Sequence, residues 1–227
     1  MRPSTDLGSR AAAVPNSHSC VVVIDDDEGF RESLGRLLRA AGVNPRLFAS
    51  ISDFVGSAPP DCPTCLILDV RLPERSGLDF QRDLAAAGAT LPIVFVTGHG
   101  DIPMSVQAIK AGAIEFLTKP FREQDLLDAI SVGLARDRVR RQNDRALSEL
   151  RARFEVLTPR ERDILVRVAE GRLNKQIAGE LGITETTVKV HRSNMMRKME
   201  AASVPQLCRM VDKLKPLKLL PGNSKLA

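Results

Sequence analysis

Short apolar runs at residues 21–24, 47–48, 66–68, 93–96 and 114–117 alternate with stretches whose apolar residues recur three and four positions apart, as at Leu34, Leu37, Leu38 and Ala41. An unbroken apolar run predicts a strand buried on both faces, and the three-four spacing predicts an amphipathic helix. Five such strands alternating with helices from Cys20 onward predict right-handed βαβ crossovers and an α/β, doubly wound, five-stranded parallel sheet. Pro45 adjoins the second run and has no N–H to give a central ladder, so that strand belongs at an edge. The flavodoxin-like strand order 2-1-3-4-5 puts it there.

After Glu123 the pattern becomes helical. Leu127, Ile130 and Leu134 form one apolar stripe and Leu147, Leu150 and Phe154 another, while residues 136–145 are polar all round except for Val139. Asp137 with Arg141 and Glu149 with Arg153 are acid-first pairs at four-residue spacing, each supporting a solvated helix by a few tenths of a kcal/mol. This connector reads either as a plain spacer or as a bendable lever or dimer-forming segment. From Leu157 the chain is all-helical. Thr158-Pro159-Arg160-Glu161 supplies a hydroxyl N-cap, a first-turn proline and an N3 glutamate. Helices follow at 159–170, 174–181, 185–199 and 204–214, with Gly171 and Gly182 marking turns. The organisation is a disordered tail over 1–19, an α/β domain over 20–135, a helical linker over 136–154, a four-helix domain over 155–216 and a loose tail over 217–227.

Composition narrows the function classes. The 227 residues, 43% hydrophobic and 27% charged, fit two modest globular domains. No apolar run approaches the roughly 20 residues that span a membrane. Residues 1–19 have arginines but no apolar core of a secretory signal, so a cytoplasmic protein is expected. Residues 1–135 carry 12 Lys and Arg against 17 Asp and Glu, net −5, whereas residues 136–227 carry 21 against 11, net +10; together they give the overall +5. The basic half calls for a polyanion. With no Trp, no Tyr and eight Phe, it lacks the aromatic platforms that grip single strands, which favours duplex DNA. The four cysteines include one CxxC, Cys62-Pro63-Thr64-Cys65, running into a strand rather than opening a helix; ordinary reduced thiols are the expectation.

Ligands of open parallel sheets bind beyond the carboxyl ends of the strands. Strand one ends in Asp25-Asp26-Asp27-Glu28, its neighbour strand three in Asp69, strand four in Thr97 and strand five in Thr118-Lys119-Pro120. Converging carboxylates need a cation to stay ionised together, and an oxygen-only set points to Mg²⁺. Lys119 and Thr97 add a point charge and a hydroxyl suited to a phosphoryl group.

The runs Val23-Ile24-Asp25-Asp26-Asp27-Glu28, Leu68-Asp69-Val70-Arg71-Leu72-Pro73 with Ser76-Gly77, Val96-Thr97-Gly98-His99-Gly100-Asp101 and Phe116-Leu117-Thr118-Lys119-Pro120-Phe121 resemble the receiver domain of two-component response regulators, over residues 20–135. The resemblance implies that Asp69 takes phosphate from a sensor histidine kinase. It implies Mg²⁺ on Asp25, Asp26, Asp69 and the Arg71 backbone carbonyl, phosphoryl contacts from Thr97 and Lys119, Phe116 as the switch aromatic, and a cis Lys119–Pro120 bond. It further implies homodimerisation on phosphorylation, through the surface of the fourth helix, fifth strand and fifth helix.

Haloacid-dehalogenase phosphatases also attack phosphate with a strand-end aspartate, but they place a general acid two positions later, where this chain has Arg71. Without that acid the acyl phosphate persists, as a switch requires. His99 stands beside the mouth as a possible base, yet its Gly98-His99-Gly100-Asp101 setting resembles the FixJ-type subgroup and reads as a loop ahead of a helix that Asp101 caps.

In the basic half, residues 174–192 read as helix, glycine turn and second helix. Ile177, Leu181, Ile183, Val188 and Met195 are spaced to pack, and Thr186, Lys189, Val190, Arg192 and Ser193 to face outward. First-turn hydroxyls suit phosphates, and Lys and apolar groups suit base edges in the major groove. This stretch, with the Leu157-Thr158-Pro159-Arg160-Glu161 start, resembles the LuxR-type helix-turn-helix. The resemblance places Lys189, Val190 and Ser193 at base-facing positions, with Lys175, Thr186, Thr187 and Arg192 as further DNA contacts. The chain as a whole resembles FixJ-like transcriptional regulators, which are not enzymes, with double-stranded DNA and RNA polymerase as partners. A regulator that uses its receiver only to dimerise, and one that senses a small molecule, are the competing classes; the sheet domain offers no obvious apolar ligand pocket.

Overall fold

A computed structural model describes residues 19–217. The disordered and loose tails expected over 1–19 and 217–227 lie outside the described residues except for Ser19 and Leu217. The described chain divides into two compact units, meeting between residues 141 and 142.

The first unit alternates strands and helices: β1 (Cys20–Ile24), α1 (Glu28–Ala40), β2 (Asn44–Phe48), α2 (Ile51–Gly56), β3 (Thr64–Leu68), α3 (Gly77–Ala86), β4 (Ile93–Thr97), α4 (Ile102–Lys110), β5 (Glu115–Thr118) and the first part of α5 (Glu123–Glu155). All strand pairs are parallel and the order is β2-β1-β3-β4-β5, as expected. Pro45 lies in the edge strand β2, opposite Val21. Strands β1, β3 and β4 are buried at every position because helices cover both faces. Val22, Ile24, Leu66, Leu68 and Phe95 face one apolar layer with α2, α3 and α4; Val21, Val23, Cys65, Ile67, Val94 and Val96 face the other with α1 and α5. Asp27, Ser76 and Asp101 cap α1, α3 and α4, each accepting a first-turn N–H.

Helix α5 runs 33 residues. Its first half packs Leu126, Ile130 and Leu134 on the sheet. The next turns correct the expectation of a solvated connector. Asp137 is fully buried and its carboxylate accepts from Arg140 Nε (2.8 Å) and Nη2 (2.7 Å), from Arg141 Nε (2.7 Å) and from the Thr64 backbone N–H (2.8 Å). The Asp137–Arg141 pair therefore exists, but as part of a buried lock on the start of β3. The expected partner of Glu149 is engaged elsewhere, since Arg153 Nη2 reaches Glu200 at 2.8 Å.

The second unit takes Leu150 and Phe154 of α5 into a core with α6 (Pro159–Ala169), α7 (Asn174–Leu181), α8 (Glu185–Lys198) and α9 (Val204–Leu214), closed by a 3₁₀ turn, Lys215–Leu217. Thr158 and Glu161 form the capping box read from the sequence. Among the described residues no helix is long and apolar enough to cross a membrane.

Candidate functional site

The parallel topology delivers the carboxyl ends of four strands that carry site residues to one edge of the sheet. Asp25 and Asp26 follow β1, Asp69 follows β3, Thr97 ends β4 and Lys119 follows β5. One carboxylate oxygen from each of Asp25, Asp26 and Asp69 lies within 4.8 Å of the others; Asp25 and Asp69 are buried and Asp26 is exposed. Lys119 Nζ bridges two of them, 2.6 Å from Asp25 Oδ2 and 3.3 Å from Asp69 Oδ2. The same ammonium sits 3.6 Å above the Phe30 ring, which stabilises its charge without adding an anion.

Backbone geometry fixes these groups. The Arg71 N–H donates to Asp69 Oδ1 at 2.9 Å and the Asp27 N–H to Asp25 Oδ1 at 3.0 Å. Arg31, which sequence reading passed over, donates from Nη1 to the carbonyls of Asp25 (2.6 Å) and Asp26 (3.4 Å), tying down the acidic loop. Gly77 opens α3 directly against β3; a Cβ there would collide with the Asp69 carbonyl oxygen. Burial raises the Asp25 carboxyl above its ordinary range and Asp69 adds to this, while the hydrogen bond and charge of Lys119 and the Asp27 N–H pull the other way. Three close carboxylates against one ammonium leave a deficit of positive charge, and the all-oxygen donor set fits a hard divalent cation.

Thr97 is buried, and its Oγ1 accepts from the His99 N–H at 3.4 Å; the Lys119 N–H donates to the Thr97 carbonyl at 2.8 Å. His99 itself is exposed in the loop ahead of α4, and Asp101 caps that helix. Phe116 is half-buried, its centroid 6.1 Å from that of Phe95. Gly100 lies so close that a Cβ would be 2.7 Å from Phe116 Cε1. The loop after β4 thus passes close to the Phe116 ring, with space there for glycine and not for a larger residue. The Lys119–Pro120 bond is cis.

In the second unit, Gly182 turns α7 into α8 at φ 62, the left-handed region that favours glycine. Ile177, Val188 and Met195 are fully buried, with Leu181 and Ile183 packed at the edge. Lys175, Thr186, Lys189, Val190 and Ser193 are exposed. Thr187 and Arg192 are half-buried and already engaged. The Thr187 hydroxyl pairs with the capping Thr184 at 2.8 Å, and Arg192 Nη1 donates to Asn174 Oδ1 at 2.9 Å, joining the two helices. Other ties were not legible from spacing: Lys198 Nζ to Glu161 Oε2 (2.7 Å), Arg167 to Glu180 (2.9 Å) and Arg160 to the Leu181 carbonyl (3.0 Å).

A sheet end where three carboxylates gather beside a lysine, on a chain that also carries a helix-turn-helix, defines a class of signal-receiving, DNA-binding switches. Comparison with known proteins gives the family. Residues 21–131 match the response regulator receiver domain, and residues 155–211 match the bacterial regulatory proteins of the luxR family. Nodulation protein W of Bradyrhizobium diazoefficiens is 47% identical over 199 residues, 88% of each chain. The transcriptional regulatory protein FixJ of Azorhizobium caulinodans is 42% identical over 190 residues, 84% of this chain and 90% of that one. The solved structure of the response regulator StyR matches with a TM-score of 0.78 at 49% identity, covering 86% of this chain and 99% of that one. The chain belongs to the FixJ-like response regulators of two-component systems, transcriptional regulators with a LuxR-type DNA-binding domain.

Proposed function

We propose that this regulator is switched by phosphorylation at Asp69. An Asp69 carboxylate oxygen attacks the phosphorus of a phosphohistidine on a sensor kinase. The P–N bond breaks, its electron pair stays on the imidazole, and an acyl phosphate remains on Asp69. Asp25, Asp26, Asp69 and the Arg71 carbonyl would hold Mg²⁺, which offsets the negative charge of the incoming phosphoryl group. Lys119 moves from its carboxylate partners onto one phosphoryl oxygen and Thr97 donates its hydroxyl to another. Arg71 supplies no general acid, so the acyl phosphate persists.

The observation that carries this reading is the convergence of three carboxylates at the sheet edge, two of them bridged by one lysine. Thr97 moving toward phosphate draws its loop inward, and the Gly100–Phe116 packing makes the ring follow. Support for homodimerisation on this signal comes from α4, which exposes Ile102 (80%), Val106 and Ile109 beside β5. Paired second units then bind double-stranded DNA, with Lys189, Val190 and Ser193 reading bases in the major groove, Thr186 and Lys175 meeting phosphates, and Thr187 and Arg192 holding the recognition helix in position. RNA polymerase is the further partner and the cytoplasm the working compartment.

Footprinting across the native genome, with and without acetyl phosphate and Mg²⁺, tests the reading. Phosphodonor-dependent protection that disappears in Asp69→Asn is the expected result. Equal protection by wild type and Asp69→Asn would instead identify a phosphate-blind DNA-binding protein.

A further inference from the structure

The Cys62-Pro63-Thr64-Cys65 motif is left unused by the switch. Its two cysteines cannot meet each other, because they belong to opposite faces of the sheet. Cys65 is fully buried in the layer shared with α1 and α5, and a Cβ on Gly133 of α5 would lie 2.6 Å from its Sγ. Cys62 packs on the other layer, against the cluster that contains Cys20. Cys20 and Cys62 are far apart in the chain but adjacent in the fold. Cys20 pairs in register with Thr64, and its N–H donates to the Pro63 carbonyl at 2.9 Å, one residue from Cys62. Cys62 also lies close enough to Cys20 to act on its thiol. The segment carrying Cys62 is pinned on both sides. Arg141 Nη2 donates to the Pro60 carbonyl at 2.9 Å, Thr64 Oγ1 donates to the Cys62 carbonyl at 2.8 Å, and the Thr64 N–H is held by Asp137 at 2.8 Å.

We propose that Cys20 and Cys62 are a redox-modifiable pair that closes as an intramolecular disulfide when the protein meets hydrogen peroxide, at the end of the sheet opposite Asp69. Cys62, the more exposed, reacts first: its sulfur bonds to one peroxide oxygen, the O–O bond breaks, and a sulfenic acid and one water result. The Cys20 sulfur then attacks the Cys62 sulfur, the S–O bond breaks, and the hydroxide leaves as water with the Cys20 proton. Two thiols lose two electrons in all and the peroxide gains them. A dithiol reductant returns both thiols.

The surroundings set the rate. Burial, reinforced by the Cys62 sulfur, pushes the Cys20 thiol up to about 11, with Arg46 acting in the opposite direction. Little Cys20 thiolate exists at neutral pH, so closure is slow there and accelerates as pH rises toward that value. In a reducing compartment the pair stays open, and it closes only under a sustained oxidant load.

The test uses the full-length, fully reduced protein, treated with hydrogen peroxide at pH 7 and pH 9. Remaining thiols are alkylated under denaturing conditions, and the digest is mapped by mass spectrometry without reduction. The expected result is loss of two of the four thiols, a linked peptide pair containing Cys20 and Cys62, faster formation at pH 9, and reversal by dithiothreitol. Cys62→Ser should abolish the link and Cys65→Ser should retain it. A Cys62–Cys65 link, cross-links between chains through Cys208, or a Cys20 that alkylates as fully after peroxide as before would each overturn the proposal. The mapping is read on the unsubstituted chain, so it stands even if a variant folds poorly.

Discussion

Strand β3 has a buried carboxylate at each end, and the two are built in opposite ways. At its carboxyl end Asp69, 8% exposed, shares its space with Asp25 and Asp26 and meets a single ammonium. At its start Asp137, with no exposure, is matched by two guanidinium groups and a backbone N–H. One end has surplus negative charge and room for a cation; the other has its acceptors filled by fixed donors. Both aspartates are buried. The balance of charge around them is what separates a reactive group from a structural one.

Removing the structural carboxylate has the largest expected effect. Asp137→Ala leaves Arg140, Arg141 and the Thr64 N–H without their acceptor and should cost about 3–5 kcal/mol in urea unfolding followed by circular dichroism. Asp69→Asn relieves crowded negative charge and should cost less than about 1 kcal/mol. Equal losses at the two ends would erase the contrast. Next in size is the response to metal. Mg²⁺ at about a hundredfold over its dissociation constant should stabilise the wild type by about 2.7 kcal/mol. Asp137→Asn should keep that response if it folds, and Asp25→Asn should lose it. A response that survives Asp25→Asn would put the cation elsewhere.

Gly77→Ala forces a Cβ onto the Asp69 carbonyl and should cost about 1–3 kcal/mol while slowing phosphorylation. In the second unit, Lys189→Ala should weaken specific DNA binding by about 1–3 kcal/mol, measured by fluorescence anisotropy on a footprinted site, with the melting curve unchanged. A pH-dependent effect of similar or smaller size lies at Glu161. Burial acts to raise its carboxyl, but the Lys198 ammonium and the Thr158 N–H and hydroxyl outweigh this and hold it below the ordinary range. A depressed carboxyl contributes stability at neutral pH that is lost as pH falls from the ordinary carboxylate value through the folded one. Glu161→Gln should cost about 1–2 kcal/mol at pH 7 and flatten that acid dependence.

The sheet and its mouth were legible because both follow from short-range pattern plus one topological rule. The apolar runs of β1, β3 and β4, alternating with helical stretches, mark strands covered on both faces, Pro45 fixes an edge, and the remaining order carries Asp25, Asp69, Thr97 and Lys119 to one rim. The cap at Thr158 and the turn at Gly182 are equally local. Asp137 was not legible. A charge in a polar helical stretch reads as solvated, and its burial depends on Thr64, 73 positions away in sequence. Arg192 shows the same limit at smaller scale: helical spacing puts it on the outer face, but its long side chain turns back to Asn174. The two cysteines of the CxxC part for a local reason: Cys62 precedes β3 and packs on one layer, while Cys65 lies within the strand and is buried in the other.

The proposed phosphoacceptor is Asp69. Incubation of the full-length chain with acetyl phosphate and Mg²⁺, followed by intact-mass measurement and borohydride trapping of the acyl phosphate, tests it most directly. The expected result is one added phosphoryl group mapped to Asp69, absent in Asp69→Asn and present in Asp137→Asn. No added phosphoryl group, or one that maps to another residue in the wild type, would contradict it.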